Sequence, residues 1–227
     1  MVPGGRLRIL TINAGSSSLK AALYDMDRTE RVTLACQVER IGQSGSQMRI
    51  VDGGRVTLLD RTADLDSHES AARAFLEWLQ HQQAEVAPSA VGHRLVHGGS
   101  THRAPHILTP DVMDDLQELV PLDPDHLPQA LAVIRVTTQA YPAIPQVACF
   151  DTSFHRSMSR VAQMYPLPSR FGDAGVILSS WLMSRTTSRM RSKLSLCGAM
   201  IEVSHRVEAT AGEPAAQPSA VQRPIRA

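Results

Sequence analysis

The sequence predicts an α/β domain in which a mixed sheet is flanked by helices. Three observations support this fold class. Short apolar segments that alternate with polar residues fill the first 60 residues, as expected for antiparallel strands. Apolar residues recur at helical spacing after residue 65, and two further strand-like segments interrupt them. Apolar residues make up 43% of the 227 residues and charged residues 20%, so the chain can bury a sizeable core.

The early strands follow from the pattern of apolar residues. The first is a nearly continuous apolar run, which is typical of a strand covered on both faces, and the second alternates apolar with other residues. The last two fit a hairpin around Asp52, Gly53 and Gly54. The predicted strands are residues 7–12, 19–24, 32–38, 47–50 and 56–59.

Helices are predicted where apolar residues recur every three or four positions. Asp66 and Glu69 match a capping box for a first helix, whose apolar positions lie within residues 71–79. Thr109 followed by Pro110 marks the start of a second helix. The remaining predicted elements are a helix at residues 128–141 and buried strands at residues 90–97 and 147–150.

Charge and composition exclude several classes of protein. The formal net charge is +1, which argues against a nucleic-acid binder. No run of 18 apolar residues is present, so no membrane-spanning helix is predicted, and no signal-peptide pattern precedes the first strand. The three cysteines, Cys36, Cys149 and Cys197, are widely spaced. Together these features indicate a cytoplasmic protein without a disulfide framework or a zinc site.

The composition changes near residue 177. Residues 178–227 contain seven basic and three acidic residues and are rich in Ser, Arg, Ala and Pro. They are predicted to form an unrelated, mostly disordered basic tail, with a short helix at residues 181–190 as an alternative. Residues 1–177 are predicted to form the ordered domain.

Residues 13–20, with the sequence NAGSSSLK, form a polar turn between the first two strands. Gly15 allows a positive φ, and the N–H groups of the turn, with Ser16 and Ser18, can surround an anion beside the charge of Lys20. The segment is therefore a candidate phosphate-holding hairpin, although it lacks the Walker pattern. The alternative is an ordinary hairpin turn rich in glycine and serine.

Residues 92–99, with the sequence GHRLVHGG, place Arg94 near the end of a buried strand. A buried guanidinium is costly without an anion, and its planar fork suits a carboxylate or a phosphate. His93 and His97 lack a third ligand, so a metal site is not favoured here. The alternative is a strand that ends in a glycine turn and carries an ion-paired arginine.

Residues 150–155, with the sequence FDTSFH, place Asp151 directly after another buried strand. A carboxylate at the carboxyl end of such a strand faces the ligand crevice in open α/β sheets, where it can bind Mg²⁺ or accept a proton. The alternative is an ordinary turn or N-cap aspartate. His126 is a weaker candidate, because a lone histidine before a helix is usually structural.

Taken together, these three motifs resemble the acetate kinase family over roughly residues 6–177. The resemblance implies one lobe of an actin-like, ribonuclease H-like fold of the kind found in sugar kinases. It also implies reversible phosphoryl transfer from ATP to acetate, giving ADP and acetyl phosphate, with Mg²⁺ or Mn²⁺ as the metal. The implied partners are the small molecules acetate and ATP, and propionate is not distinguished from acetate as the acceptor.

The resemblance also implies roles for individual residues. Asp151 is expected to be catalytic, with His126 in support, and Arg94 is expected to hold the carboxylate of acetate. Asn13 is expected to associate with the metal ion. The residues expected near the phosphates of ATP are Lys20, Ser16 and Ser18.

The chain departs from the family pattern after residue 177. The family's Arg-Tyr-Gly-Phe-His-Gly segment and its later motifs do not follow, so the second lobe and a homodimer built on it are not expected. A change of reading frame and a divergent paralogue are both open explanations of the tail. We therefore expect an acetate kinase-type phosphotransferase in a truncated form with little or no turnover. The alternative is a non-catalytic remnant that binds phosphate or carboxylate weakly.

Overall fold

The computed structural model describes residues 7–151, except residues 27–28, 83–86, 100 and 103. The second half of the third motif, the predicted boundary near residue 177, the tail and Cys197 lie outside the described residues. Cys36 and Cys149 are buried thiols, and burial raises the pKa of Cys36 to about 12. None of the helices in the described ranges is long and apolar enough to cross a membrane.

Eight strands of the described residues form one mixed sheet in the order β5-β4-β3-β2-β1-β6-β8-β7. Strands β1 to β5 are antiparallel to their neighbours in succession, as predicted. Strand β6 runs parallel to β1, and β8 runs parallel to β6. The strands are β1 (Arg8–Ala14), β2 (Ser18–Met26), β3 (Glu30–Glu39), β4 (Ser46–Asp52), β5 (Thr57–Ala63), β6 (Ala90–Leu95), β7 (His106–Ile107) and β8 (Gln146–Phe150).

Several strands differ from the sequence prediction at their ends. Strand β5 differs most, because its pairing with β4 continues to Ala63 rather than ending at residue 59. Strand β6 ends at Leu95 rather than at residue 97, because its neighbours end there: Arg94 is paired with the penultimate residue of β1, and Leu95 with the last residue of β8. Strand β7 was not predicted, because two residues carry no alternating pattern. It exists through its pairing with β8 at the edge of the sheet.

The α-helices of the described residues are α1 (His68–Gln80), α2 (Pro110–Glu118) and α3 (Leu127–Ala140). Thr109 caps α2 as predicted, by accepting a hydrogen bond from the Val112 N–H. The predicted capping box of α1 is wrong by one residue. Ser67 is the N-cap, and it exchanges hydrogen bonds with Ser70, because Asp66 lies one position before the extended residue that starts the helix.

The core lies between the helices and one face of the sheet. Helix α1 packs Phe75 and Leu76 into the same buried cluster as Leu10 and Ile12 of β1, and α3 reaches a second cluster around Phe150. The opposite face at β1, β6 and β8 holds a smaller buried cluster of Ile9, Ala90, Val147 and Cys149. Because side chains alternate along a strand, this second face also receives the last odd-numbered residues of β1.

His93 lies on the helix-packed face and is held by a buried chain of hydrogen bonds. Its Nε2 is 2.7 Å from Oε1 of Gln146, and Nε2 of Gln146 donates to Oγ1 of Thr138 on α3 over 2.9 Å. The Gln146 amide uses its N–H on Thr138, so its oxygen accepts from His93. Burial lowers the pKa of His93 to about 4, and the hydrogen bond to Gln146 only partly opposes that effect.

This burial predicts a loss of stability in mild acid. The unfolded chain takes up a proton on His93 below the ordinary histidine pKa of 6.5, whereas the folded chain resists protonation down to about pH 4. The contribution of His93 to the free energy of unfolding is therefore complete above pH 6.5, and it falls by about 3 kcal/mol as the pH drops to 4. Burial also lowers the pKa of His68 and His106, so these two histidines likewise make the free energy of unfolding fall as the pH is lowered.

Urea unfolding between pH 4 and 7.5 measures this slope. His93→Gln is expected to flatten it while the part due to His68 and His106 remains. The matched control is His81→Gln, at an exposed histidine that ends α1. A His93→Gln protein that keeps the full slope of the unmutated chain would contradict the assignment.

Candidate active site

The ends of neighbouring strands place polar side chains in one row. Asn13 of β1 is in register with Arg94 of β6 on one side and with Lys20 of β2 on the other. Arg94 is in register with Cys149 of β8, and Asp151 lies two residues further along the chain. Side chains two residues apart share a face of the sheet, so the row lies on the face opposite the helices.

The guanidinium of Arg94 joins this row together. Its Nε donates to Oδ1 of Asp151 over 2.9 Å, and its Nη2 donates to the other carboxylate oxygen. Its Nη1 donates to Oδ1 of Asn13 over 3.1 Å. The side chains of Arg94 and Asp151 are 23% and 22% exposed, so the pair is accessible from one side. Asn13, Arg94 and Asp151 therefore lie in direct contact.

The three nitrogens of the Arg94 guanidinium are all hydrogen-bonded to carboxylate or amide oxygens. Each of its three nitrogens already has a protein acceptor, and two of them share one carboxylate in the bidentate manner typical of arginine. A ligand carboxylate has the same shape and charge as the side chain of Asp151. The contacts also fit the alternative interpretation of this motif, an ion-paired arginine at a strand end.

The turn at residues 15–17 is held by contacts at both ends. The Gly15 N–H donates to the Ser18 carbonyl over 2.7 Å, and the Ile41 N–H donates to the Ser17 carbonyl over 3.0 Å. Gly15 does not use the positive φ that glycine allows, because it is not among the glycines with positive φ in the described residues. A Cβ at this position would lie 2.9 Å from Oγ of Ser18, so a larger residue would displace that hydroxyl.

His68 supports this turn and was not found by sequence reasoning. It is the first residue of α1, it is buried, and its Nε2 lies 2.6 Å from the Gly15 carbonyl oxygen. A carbonyl only accepts, so Nε2 carries the proton. Burial lowers the pKa of His68 more than the hydrogen bonds to the carbonyls of Gly15 and Ser18 raise it. No local pattern marks this residue, because its partner lies 53 positions away.

The other predicted site residues have no described bond to Arg94. Lys20 is exposed beside Asn13, Ser16 is exposed in the turn, and Ser18 is half-buried at the start of β2. His126 lies just before α3, and its Nδ1 is 2.8 Å from Oδ1 of Asp123. This contact therefore joins two residues of the segment that precedes α3.

The row offers oxygen ligands of the kind that Mg²⁺ prefers. The carboxylate of Asp151 and the amide oxygen of Asn13 both reach the same guanidinium, and Mg²⁺ is typically held by one or two carboxylates together with substrate phosphates. These two residues therefore fit the metal by chemistry. Within the described ranges, no group of three or more His, Cys, Asp or Glu side chains could hold a metal ion by itself.

A model of the acetokinase family matches residues 8–177. Acetate kinase from Methylocella silvestris is 37% identical over 178 residues, which are 74% of this chain and 44% of that protein. Acetate kinase from Synechococcus sp. is 39% identical over 181 residues, with 75% and 44% covered. The chain thus spans less than half the length of these curated relatives.

Solved structures agree with the sequence matches. Acetate kinase from Porphyromonas gingivalis has a TM-score of 0.65 and 30% identity, and the match covers 76% of this chain and 44% of that one. A propionate kinase from Francisella tularensis gives the same TM-score and coverage with 25% identity. In each case the match covers less than half of the solved chain.

Proposed function

This chain belongs to the acetate kinase family, and from that premise we propose that the row around Arg94 is the acyl-group site of an acetate kinase-type phosphotransferase. The family match confirms the predicted fold class, a mixed sheet with flanking helices. The observation that carries the proposal is the Arg94 guanidinium, held between Asn13 and Asp151 at the strand ends.

We propose that acetate binds by exchanging one carboxylate for another. The carboxylate of Asp151 occupies the Nε and Nη2 side of Arg94 when no substrate is bound. Acetate presents the same planar pair of oxygens, so it takes over this side of the guanidinium while Asn13 keeps Nη1 in place. The exchange leaves the Asp151 carboxylate free to act on the other components of the reaction.

The transfer itself needs orientation and charge neutralisation. An acetate oxygen attacks the terminal phosphorus of ATP, a P–O bond forms, the bond to ADP breaks, and acetyl phosphate results without a net proton transfer. Arg94 is proposed to orient the attacking oxygen, and Lys20, Ser16 and Ser18 are proposed to hold the phosphate charge; the register of Lys20 with Asn13 supports this role. A Mg²⁺ ion, when bound by Asp151 and Asn13, would neutralise charge on the phosphate oxygens.

Turnover is proposed to require more of the family's length than this chain spans. The matched region is 44% of the curated relatives, and one stabilising donor at a reacting centre is typically worth about 10²–10³ in rate. The 227-residue chain alone is therefore expected to form no acetyl phosphate above background when hydroxylamine traps the product. Robust turnover by this chain alone would contradict the proposed dependence.

The experiment that tests the proposed site uses a fusion protein. Residues 1–177 of this chain are joined to the C-terminal part of the Porphyromonas gingivalis acetate kinase that lies outside the match. Arg94→Ala in this fusion is expected to raise the acetate KM by about 10–100-fold and to change kcat little, because a charged hydrogen bond is worth about 1.5–3 kcal/mol and holds acetate before and during transfer.

The matched control is Arg49→Ala, at an exposed arginine of β4 far along the sheet from β6. It is expected to leave both constants unchanged. An unchanged acetate KM in Arg94→Ala would show that the row is not the acyl-group site. Parallel assays with propionate determine which of the two acids the site accepts better.

A further inference from the structure

A carboxylate outside the strand-end row lies between two imidazoles. Oδ1 of Asp123 is 2.8 Å from Nδ1 of His126, and Oδ2 of Asp123 is 4.0 Å from Nε2 of His97. The side chain of Asp123 is 13% exposed and that of His97 is 15% exposed, so water supplies few of their polar contacts. The carboxylate is therefore hydrogen-bonded to His126, the residue before α3, and lies at ion-pair distance from His97, in the loop after β6.

The hydrogen bonds determine where each neutral ring carries its proton. Nδ1 of His97 accepts a hydrogen bond from the Gly99 N–H over 3.2 Å, so the proton of His97 is on Nε2, toward Asp123. A carboxylate oxygen only accepts, so Nδ1 of His126 is the donor to Asp123. Nε2 of His126 is therefore the nitrogen left for another partner.

The short separation also argues against a shared metal ion. At 2.8 Å, the Asp123 oxygen and the His126 nitrogen are in direct hydrogen-bond contact, which leaves no room for an ion between them. Carboxylate–imidazole pairs of this kind fix both the tautomer and the orientation of the ring. The arrangement is therefore suited to aiming one nitrogen of His126.

We propose that Asp123 is a positioning residue that holds His126 with Nδ1–H toward the protein and Nε2 toward an anionic substrate oxygen. An anionic oxygen only accepts hydrogen bonds, so Nε2 donates to it from the protonated ring, whereas the neutral ring accepts from a substrate O–H at the same nitrogen. Asp123 keeps the orientation of the ring the same in both cases. The identity of the substrate rests on the proposed function. The tautomer and the orientation do not.

The test uses the 227-residue chain labelled with ¹⁵N-histidine. Long-range ¹H–¹⁵N spectra distinguish Nδ1–H from Nε2–H rings, and His126→Gln and His97→Gln variants assign the two signals. The unmutated chain is expected to show His126 as Nδ1–H and His97 as Nε2–H. Asp123→Ala is expected to abolish the Nδ1–H form of His126, and Asp123→Asn, which keeps an accepting oxygen, is expected to restore it.

The matched control is Asp125→Ala, which removes an exposed carboxylate from the same segment and should leave the His126 signal unchanged. An Nε2–H signal for His126 in the unmutated chain overturns the proposal, whether or not Asp123→Ala folds. An unaltered His126 signal in a folded Asp123→Ala protein also overturns it. Inorganic phosphate is then titrated into the unmutated chain, and a missing shift at Nε2 overturns the proposed contact with an anionic oxygen, whereas the acetate site is tested separately by the Arg94→Ala kinetics.

Discussion

Replacing Asp151 with asparagine in the fusion protein is expected to lower kcat by about 10²–10³-fold, the loss typical when one charged group at a reacting centre is removed. Asparagine has nearly the same shape but lacks the negative charge that acts on the metal or the phosphoryl group during transfer. The acetate KM is expected to fall or stay constant, because the competing carboxylate on Arg94 has been removed. Steady-state kinetics with hydroxylamine trapping measures both constants.

The direction of the KM change separates this variant from Arg94→Ala, which raises the acetate KM. Asp60→Asn is the matched control, because this aspartate is exposed on β5 at the far edge of the sheet. A kcat within about threefold of the parent fusion would exclude a catalytic role for Asp151. A raised acetate KM in Asp151→Asn would contradict the exchange of carboxylates on Arg94.

The largest loss of stability is expected from Phe75→Ala. Phe75 is fully buried in α1 and belongs to the main core cluster with residues of β1 and β2. Removing a buried phenyl ring forfeits its burial and leaves a cavity in a close-packed interior, which typically costs about 3–5 kcal/mol. Urea unfolding of the whole chain at pH 7 measures the loss as a lower midpoint at constant slope.

The control for this substitution is Val56→Ala, at a side chain that is 61% exposed. It is expected to change the free energy of unfolding by less than about 0.5 kcal/mol. A loss below about 1 kcal/mol for Phe75→Ala would mean that α1 does not cover the sheet as described. Such a result would also weaken the position assigned to His68, which enters from the same helix.

Much of the fold could be predicted from local patterns. The apolar run of β1 indicates two covered faces and the alternation in β2 indicates one covered face, and both segments are observed as strands of the antiparallel part of the sheet. Thr109 and Pro110 mark the start of α2 because capping is a contact within four residues. The errors occurred where a tertiary contact decides the outcome, as at the end of β6 and in the short β7.

The candidate site was predicted in part. Arg94 and Asp151 could be selected because each lies near or just after the end of an apolar strand, and Asn13 was selected through the family resemblance. His68 and Asp123 could not be selected in the same way. A histidine after a serine and an aspartate in a proline-rich segment have many ordinary uses, and their partners are recognised only in three dimensions.

The sequence by itself determined the class of fold, most of the elements and the family, because these depend on periodicity and on contiguous motifs. The tertiary structure decided that Asp151 occupies the fork of Arg94, that His68 holds the Gly15 carbonyl and that Asp123 fixes His126. The first two contacts join residues 57 and 53 positions apart. Such contacts depend on the register of strands and on how helices dock, and residue spacing along the chain does not specify either.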